Sequence, residues 1–575
     1  MNKVISNITC KHLIVYIFLH CHFFNLSAEN LVKADIFLQN AAEIDISGRV
    51  TDESGIGLPG VTVLVEGTEK GTITDVEGNY MLSVDENATI TYSFIGFITQ
   101  RVSVNGRSII NVLMVIDQQK LEEVVVIGYG VRNKGELTGA ITEVNKNYLS
   151  QQPVANVTQA LQGSASGITI IGDPRPGYNA EVRIRGLGTI NNNAPLYVVD
   201  GVNSGSIPPT DQIESIQILK DASSTAIYGA RGANGVILIN TKLGKKDQKP
   251  KIDITFRTGI KQSIAEFDII TDPKKVGEMF WLEQLNDGVN PTHPQFTFTE
   301  QGRGLPPIIE LNDYLFPIGG GIGDPSVDPE LYDQWMYPIT RSNPAGTEWI
   351  DEIFQNAVNQ NLSLGFTGGS EKTQYAVNGS YVRDKGVMKF SDYNLVALRS
   401  NIDTHIKDWL KIGQRLGFRW QEYKGNTNPS EGQESIRQVI EMSPLFPVRD
   451  IAGNYAGGRG NNLSYGPNPL AVLDREKTDN TVRLNTIGNF YAQISPVKDL
   501  SIKSLFGFNL TSSSVHNRGL AAPEDTYGNL TNNLRESRSF NATWNWSNTI
   551  SFVKNIGGHS FELLMGTEAN ESKNN

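Results

Sequence analysis

The chain has 575 residues, room for roughly three to four domains. It is rich in glycine (56) and aromatics (9%) and lean in charge, at 19% against about 25% in soluble domains, which suits a turn-rich β protein. A net charge of −11 offers no basic face, so no nucleic-acid partner is expected.

Residues 1–28 read as a signal peptide. Lys3 and Lys11 supply the positive region, Leu13 to Leu19 form an apolar run, and Asn25 to Ala28 offer small residues for cleavage. The run is far short of the ~20 residues that span a bilayer. His20 stands where a lipoprotein signal has a small residue before its cysteine, here Cys21. No other stretch suits a membrane helix, so a membrane-embedded form must be a β-barrel. Both cysteines, Cys10 and Cys21, lie in this leader. The histidines beyond it (His293, His405, His516, His559) share no metal-binding spacing. No catalytic residue, metal or cofactor is expected, and the chain is not expected to be an enzyme.

A short linker, residues 29–43, precedes short alternating strands over 44–115. Ile44, Ile46 and Val50 begin the pattern, Val61, Val63 and Val65 continue it, and turns fall at Glu53-Ser-Gly55 and Val76-Glu-Gly78. Seven or so strands in about 70 residues predict a small sandwich. Ile46-Ser-Gly-Arg-Val-Thr-Asp52, Leu58-Pro-Gly-Val-Thr-Val63 and Tyr92-Ser-Phe-Ile-Gly-Phe97 resemble the carboxypeptidase-regulatory-like domain. That resemblance implies a non-catalytic transthyretin-like or Ig-like sandwich.

Residues 121–130 run Leu121-Glu-Glu-Val-Val-Val-Ile-Gly-Tyr-Gly130. Without context this is an ordinary buried strand. Between two domains it is equally an extended peptide able to add to a partner's sheet edge through its main chain. It resembles the Ton box of SusC/RagA proteins, which implies that Leu121, Glu122, Glu123, Val124, Val125, Val126 and Ile127 bind TonB.

Residues 131–245 read as an α+β segment. Asn156 caps a short helix through Leu161, and Ile168–Ile171 is a strand. Val182-Arg-Ile-Arg-Gly186 alternates, and Asp200-Gly201 inside an apolar run is a hairpin signal. Ile213, Ile216 and Ile218 mark another strand, Ser223–Tyr228 a small-residue helix, and Gly235–Thr241 a closing strand. Pro195–Val202, Ile213–Ala222 and Ala226–Lys242 closely resemble the plug of TonB-dependent transporters. Within them Lys220, Asp221, Tyr228, Gly229, Arg231, Gly232, Asn234 and Gly235 resemble the signature of SusC/RagA members, with Ser224-Thr225 where small alanines are common. A plug must pack closely, which favours glycine and alanine, and must also move, which favours polar contacts exchangeable for water. Arg183, Arg185 and Arg231 either pair with barrel-wall carboxylates or are solvated, and the sequence leaves both open.

Over 251–575 the strands lengthen. Ile252, Ile254 and Phe256 alternate with Asp253, Thr255 and Arg257; Ile412, Leu416, Phe418 and Trp420 alternate with Arg415 and Arg419; Trp544, Trp546, Ile550 and Phe552 alternate with Thr543, Asn545, Thr549 and Ser551. One apolar, aromatic-tipped face and one polar face are the pattern of a transmembrane barrel. Long segments at 262–355 and 424–480 contrast with short joins near 368–372 and 495–498.

The fold class expected is therefore mainly β: an Ig/transthyretin-like sandwich, an α+β plug, and the first strands of an antiparallel barrel. About nine alternating segments are legible, where plugged transporters have about 22 strands. The chain is accordingly expected to be a portion of a longer protein or the product of an interrupted reading frame, and is not expected to transport in this form.

The resemblance, which extends over the whole chain, implies a place in the cell outer membrane, in contact with its lipid, with the N-terminal domain periplasmic. It also implies import of an oligosaccharide or oligopeptide. The partners implied are a SusD-like surface lipoprotein and TonB, energised by ExbB and ExbD. A transport-linked signalling receptor and a surface adhesin are the alternative readings. The 29–43 linker is too short for the extra domain that signalling receptors carry.

Overall fold

The computed structural model describes residues 43–575 except 53, 69, 95–96, 116–123, 128–129, 134–140, 146–147, 150–155, 174, 187, 189–192, 205, 264–267, 303–304, 318–319, 321–322, 325–326, 426–435, 458–459, 461–462, 464–466, 525–529, 557–558 and 575. The expected leader, and Leu121–Glu123 of the expected Ton box, lie outside the described residues. The chain divides into two units, Met1–Glu123 and Val124–Asn575.

In the first unit, β1 (Glu43–Thr51), β4 (Asn79–Asp85) and β7 (Val112–Leu113) form one sheet, in the order β4-β1-β7. A second sheet holds β2 (Thr62–Val65), β3 (Gly71–Ile73), β5 (Thr89–Ser93) and β6 (Gln100–Ser103), in the order β3-β2-β5-β6. Alternation directs Ile46, Val50, Val63, Val84 and Ile90 between them, all buried. Two core tyrosines meet edge to face, with the Tyr80 and Tyr92 hydroxyls 2.6 Å apart and Tyr80 donating to the Ile110 carbonyl at 2.8 Å. Buried hydroxyls of this kind need such partners.

The second unit opens with a two-stranded hairpin of β8 (Val124–Ile127) and β9 (Gly130–Asn133). The plug sheet comprises β10 (Ile141–Asn145), β13 (Leu196–Val199), β14 (Val202–Asn203), β15 (Ile213–Leu219) and β16 (Val236–Thr241), in the order β10-β15-β16-β13-β14. Beside it, β11 (Ile168–Ile171) pairs with β12 (Glu181–Ile184). Asn156 caps the helix Val157–Ala160 by accepting from Thr158 N at 3.0 Å. A register shift between Ile213 and Ser215 explains why Ile213 and Ile216, three apart, are both fully buried. The small-residue helix expected over 223–228 is instead the four-residue helix Ala222–Thr225. It runs into a 3₁₀ segment broken at Gly229, whose φ is 61°.

The remaining strands form a nine-stranded antiparallel barrel-like sheet. They are β17 (Lys251–Lys261), β20 (Ala357–Gly369), β21 (Thr373–Lys385), β22 (Asp392–Lys407), β23 (Leu410–Lys424), β24 (Asn480–Val497), β25 (Leu500–Gly519), β26 (Asn533–Ile556) and β27 (His559–Asn574). β18 (Phe296–Thr299) and β19 (Ile308–Leu311) form a separate hairpin in the first long loop.

Burial in this sheet is inverted relative to a soluble protein. On β22, Leu398 is 56% exposed while Arg399 is 3% exposed. On β21 and β26, Asn378, Ser380, Asn545 and Ser547 are buried, and Val377, Tyr381, Trp546 and Ile550 are exposed. Cross-strand register builds the outer face into rows, such as Phe256–Leu362–Tyr381–Val396–Trp420–Leu484. Exposed apolar rows are unfavourable in water and favourable against lipid. No helix among the described residues is long and apolar enough to cross a membrane.

Short turns close one end of the sheet, at 370–372, 408–409 and 498–499, and long loops leave the other. The long loops are not irregular throughout. The helices Pro273–Asn286 and Pro469–Glu476, the β18–β19 hairpin and the segments around Trp349 and Phe446 share a core of their own. Trp349 Nε1 donates to the Ser443 carbonyl at 3.2 Å, and Thr347 Oγ1 to the Phe446 carbonyl at 2.6 Å.

Candidate functional site at the plug and barrel wall

Of the residues expected to form a Ton box, Val124–Ile127 are described, and they form β8. β8 pairs antiparallel with β9, from Val124 opposite Asn133 to Ile127 opposite Gly130. The sheet holds these two strands, so β8 has one edge on β9 and one edge unpaired among the described strands.

The signature residues gather where β15 passes through the broken helix into β16. Lys220 Nζ donates to the Ser166 carbonyl at 2.8 Å, and Asp221 pairs with Arg185 at 2.5 Å. Tyr228 packs on the small core of Val198, Leu219, Val236 and Leu238. Gly235, with φ 91°, lies so close to Ile184 that a Cβ would stand 2.7 Å from its Cδ1. A Cβ on Gly232 would stand 2.9 Å from the Thr225 carbonyl oxygen, and Asn234 lies beside Gly188. Arg183 pairs with Glu181 at 2.6 Å, so Arg183 and Arg185 find their carboxylates inside the plug. Arg231 crosses to the wall and meets Glu568 on β27 at 2.8 Å.

The principal seam between plug and wall lies elsewhere. Asp200 and Gly201, with φ of 50° and 85°, make the tight turn between β13 and β14. This turn presents Asp200 to β22, where Arg399 Nη1 reaches its Oδ2 at 3.1 Å. Thr241 N and Oγ1 also donate to that carboxylate, at 2.9 and 2.7 Å. Asn489 on β24 donates to the Asp200 carbonyl at 2.8 Å. Asn401 donates to Thr241 Oγ1 and to the Lys242 carbonyl, both at 2.7 Å. Arg419 donates to Ser206 Oγ and to the Ile207 carbonyl, both at 2.6 Å. Gln212 Nε2 donates to Ser380 Oγ at 3.0 Å, and Ser380 donates to Asp211. Burial pushes the Asp211 carboxyl above the ordinary range, opposed by the bond from Ser380.

Arg399, Asn401 and Asn489 were not among the residues singled out from sequence, and Asp200 was read there only as part of a turn. The available signal was the Arg399-x-Asn401-x-Asp403 alternation, which puts three strongly polar groups on one strand face. Among the described residues, no three His, Cys, Asp or Glu side chains cluster in a way that could hold a metal ion.

The sequence matches two family profiles: the TonB-dependent receptor plug domain over residues 133–236 and the CarboxypepD_reg-like domain over residues 46–126. TonB-dependent receptor P3 of Formosa agariphila is 30% identical over 556 residues, covering 92% of this chain and 48% of that protein. TonB-dependent receptor SusC of Bacteroides thetaiotaomicron is 26% identical, covering 94% of this chain and 51% of that protein. The chain thus spans about half the length of the curated relatives it matches. Among solved structures, the RagAB peptide importer in its open-open state aligns with a TM-score of 0.60 at 24% identity. That alignment covers 79% of this chain and 50% of the importer chain.

Proposed function

The chain belongs to the SusC/RagA type of TonB-dependent outer-membrane receptors, and we propose that its protein imports a large nutrient, an oligosaccharide or oligopeptide, past a displaceable plug. A SusD-like surface lipoprotein delivers the substrate from outside, and TonB, energised by ExbB and ExbD, supplies force from the periplasm. The observation that carries this reading is the polar seam. Side-chain hydrogen bonds tie the plug to the wall at Asp200, Ser206, Ile207, Thr241 and Lys242, and the apolar contacts beside them are local ones, of Ile487 with the plug core and of Tyr178 with Tyr423.

Such a seam is suited to opening. Each neutral hydrogen bond contributes about 0.5–1.5 kcal/mol net and each one to a charged group about 1.5–3 kcal/mol, because water replaces it when the groups part. On this reading residues 121–130 are the handle, and TonB adds a strand to the unpaired edge of β8. Next along the chain is β10, an end strand of the plug sheet that pairs with β15 over Ile141–Asn145. Tension therefore reaches an edge strand first. The turn at Asp200 and the Thr210–Gln212 segment, both bonded to the wall, are pulled later.

The test is deletion of residues 121–127 from the protein at its native length. Uptake is expected to stop while the protein still reaches the cell surface. Undiminished uptake would remove the TonB-driven reading, and intact surface binding without uptake dependence would favour an adhesin.

A further inference from the structure

A cavity of about 520 Å³ lies between the Asp200-Gly201 turn and the inner faces of β22 to β26, toward the short-turn end of the sheet. Its charges do not balance. Asp200 and Glu568 line it, but Arg399 and Arg231, just outside, pair with them. Asp403 is shared by Lys411 at 3.0 Å and Arg415 at 2.6 Å. Lys503 is left over. Its Nζ stands 4.5 Å from the Tyr491 ring centre, and no carboxylate among the described residues lies within salt-bridge distance of it. Three carboxylates thus meet five cations, in a protein whose net charge is −11.

A half-buried ammonium set beside two other cations is costly to keep charged unless an anion joins it. The other groups presented to the cavity include Asn489, Gln493, Asn545, Ser547 and Thr549. Amides and hydroxyls of this kind both donate and accept, as a sugar hydroxyl requires. We propose that this cavity binds the oxyanion group of an acidic oligosaccharide, a carboxylate or a sulfate ester, with Lys503 as its principal contact. The inference rests on the transport reading, since it places the site beside the path that the plug obstructs.

The test uses the native-length protein purified from outer membranes in detergent, with binding followed by calorimetry. The probes are tetragalacturonate, a sulfated tetrasaccharide, maltotetraose and tetraglutamate. At least one acidic sugar is expected to bind, with affinity falling as salt rises, and maltotetraose to bind far more weakly. Whichever acidic sugar binds tighter identifies the oxyanion. Lys503→Gln is expected to weaken that binding about tenfold or more, and Lys503→Arg to retain it.

Equal affinity for maltotetraose, no binding of either acidic sugar, or an unchanged Lys503→Gln would overturn the proposal. Tighter binding of tetraglutamate than of both acidic sugars would overturn it in favour of acidic peptides. If Lys503→Gln fails to assemble, the salt dependence of the unmodified protein and the Lys503→Arg affinity decide the matter. Binding here needs no TonB, so failure of this site leaves the transport reading to the 121–127 deletion, and the reverse holds too.

Discussion

Arg399 on β22 and Asp200 at the β13–β14 turn form a nearly buried ion pair across the plug–wall seam, 3.1 Å apart, with side chains 2% and 10% exposed. The geometry is incomplete, because Arg399 Nε is buried without a partner among the described residues. Removing one member strands the other's charge, which costs about 3–5 kcal/mol for buried pairs. Arg399→Met is therefore expected to loosen the plug, seen as faster proteolysis within residues 196–242 and a lower melting temperature. Arg399→Met combined with Asp200→Asn should cost less than Arg399→Met alone. Independent, additive losses would show that the two side chains are not coupled.

The second ionic contact across the seam should behave differently. Arg231 and Glu568 are 2.8 Å apart, but their side chains are 45% and 20% exposed. Solvent-exposed pairs contribute about 0–1 kcal/mol. Arg231→Ala is expected to leave plug proteolysis and melting nearly unchanged, although Arg231 sits in the signature segment. A loss as large as that of Arg399→Met would mean that the signature itself holds the plug in place.

These two pairs also mark what sequence could and could not supply. The Asp200-Gly201 turn was legible, because Asp-Gly between apolar runs requires positive φ that few residues tolerate. So was the alternation that turns Leu398 outward and Arg399 inward. That Arg399 would meet Asp200 was not legible, since the contact joins residues 199 positions apart through the seating of one sheet inside another. Arg183 and Arg185 looked equally available for the wall, but Glu181 two positions away and Asp221 at the end of β15 are nearer partners. The order within the long segments at 262–355 and 424–480 had one legible start signal. Asp272 followed by Pro273 is a cap and first-turn pair, and Asp272 does accept from Lys274 N at 2.9 Å.

Asp211 makes the seam sensitive to pH. Its carboxyl is held above the ordinary value, about 3.9, first by burial, so the seated plug binds this proton more tightly than a released one. The contribution to seating is full below the ordinary value and is lost as pH rises through the raised one. Protease resistance of the plug is therefore expected to decline with rising pH through that window. Asp211→Asn, neutral at every pH, should flatten this slope. An identical slope in Asp211→Asn would assign the effect to another group.

The proposed role of β8 as a handle can be tested by proline. Adjacent residues of a strand direct their main-chain groups to opposite edges, so the amides of Val125 and Val126 serve different sides of β8. One side is occupied by β9, with Val125 opposite Arg132 and Val126 opposite Val131. The other is the edge to which strand addition would occur. Proline removes a main-chain donor. Val125→Pro and Val126→Pro are therefore expected to differ. One should weaken capture of the TonB C-terminal domain by about tenfold or more, and the other should mainly open the β8–β9 hairpin. Isotope-edited infrared or amide exchange would read the hairpin, and calorimetry the capture. Equal effects on both readouts would argue that TonB displaces β9 rather than adding beside it, because both edges would then be remade at once.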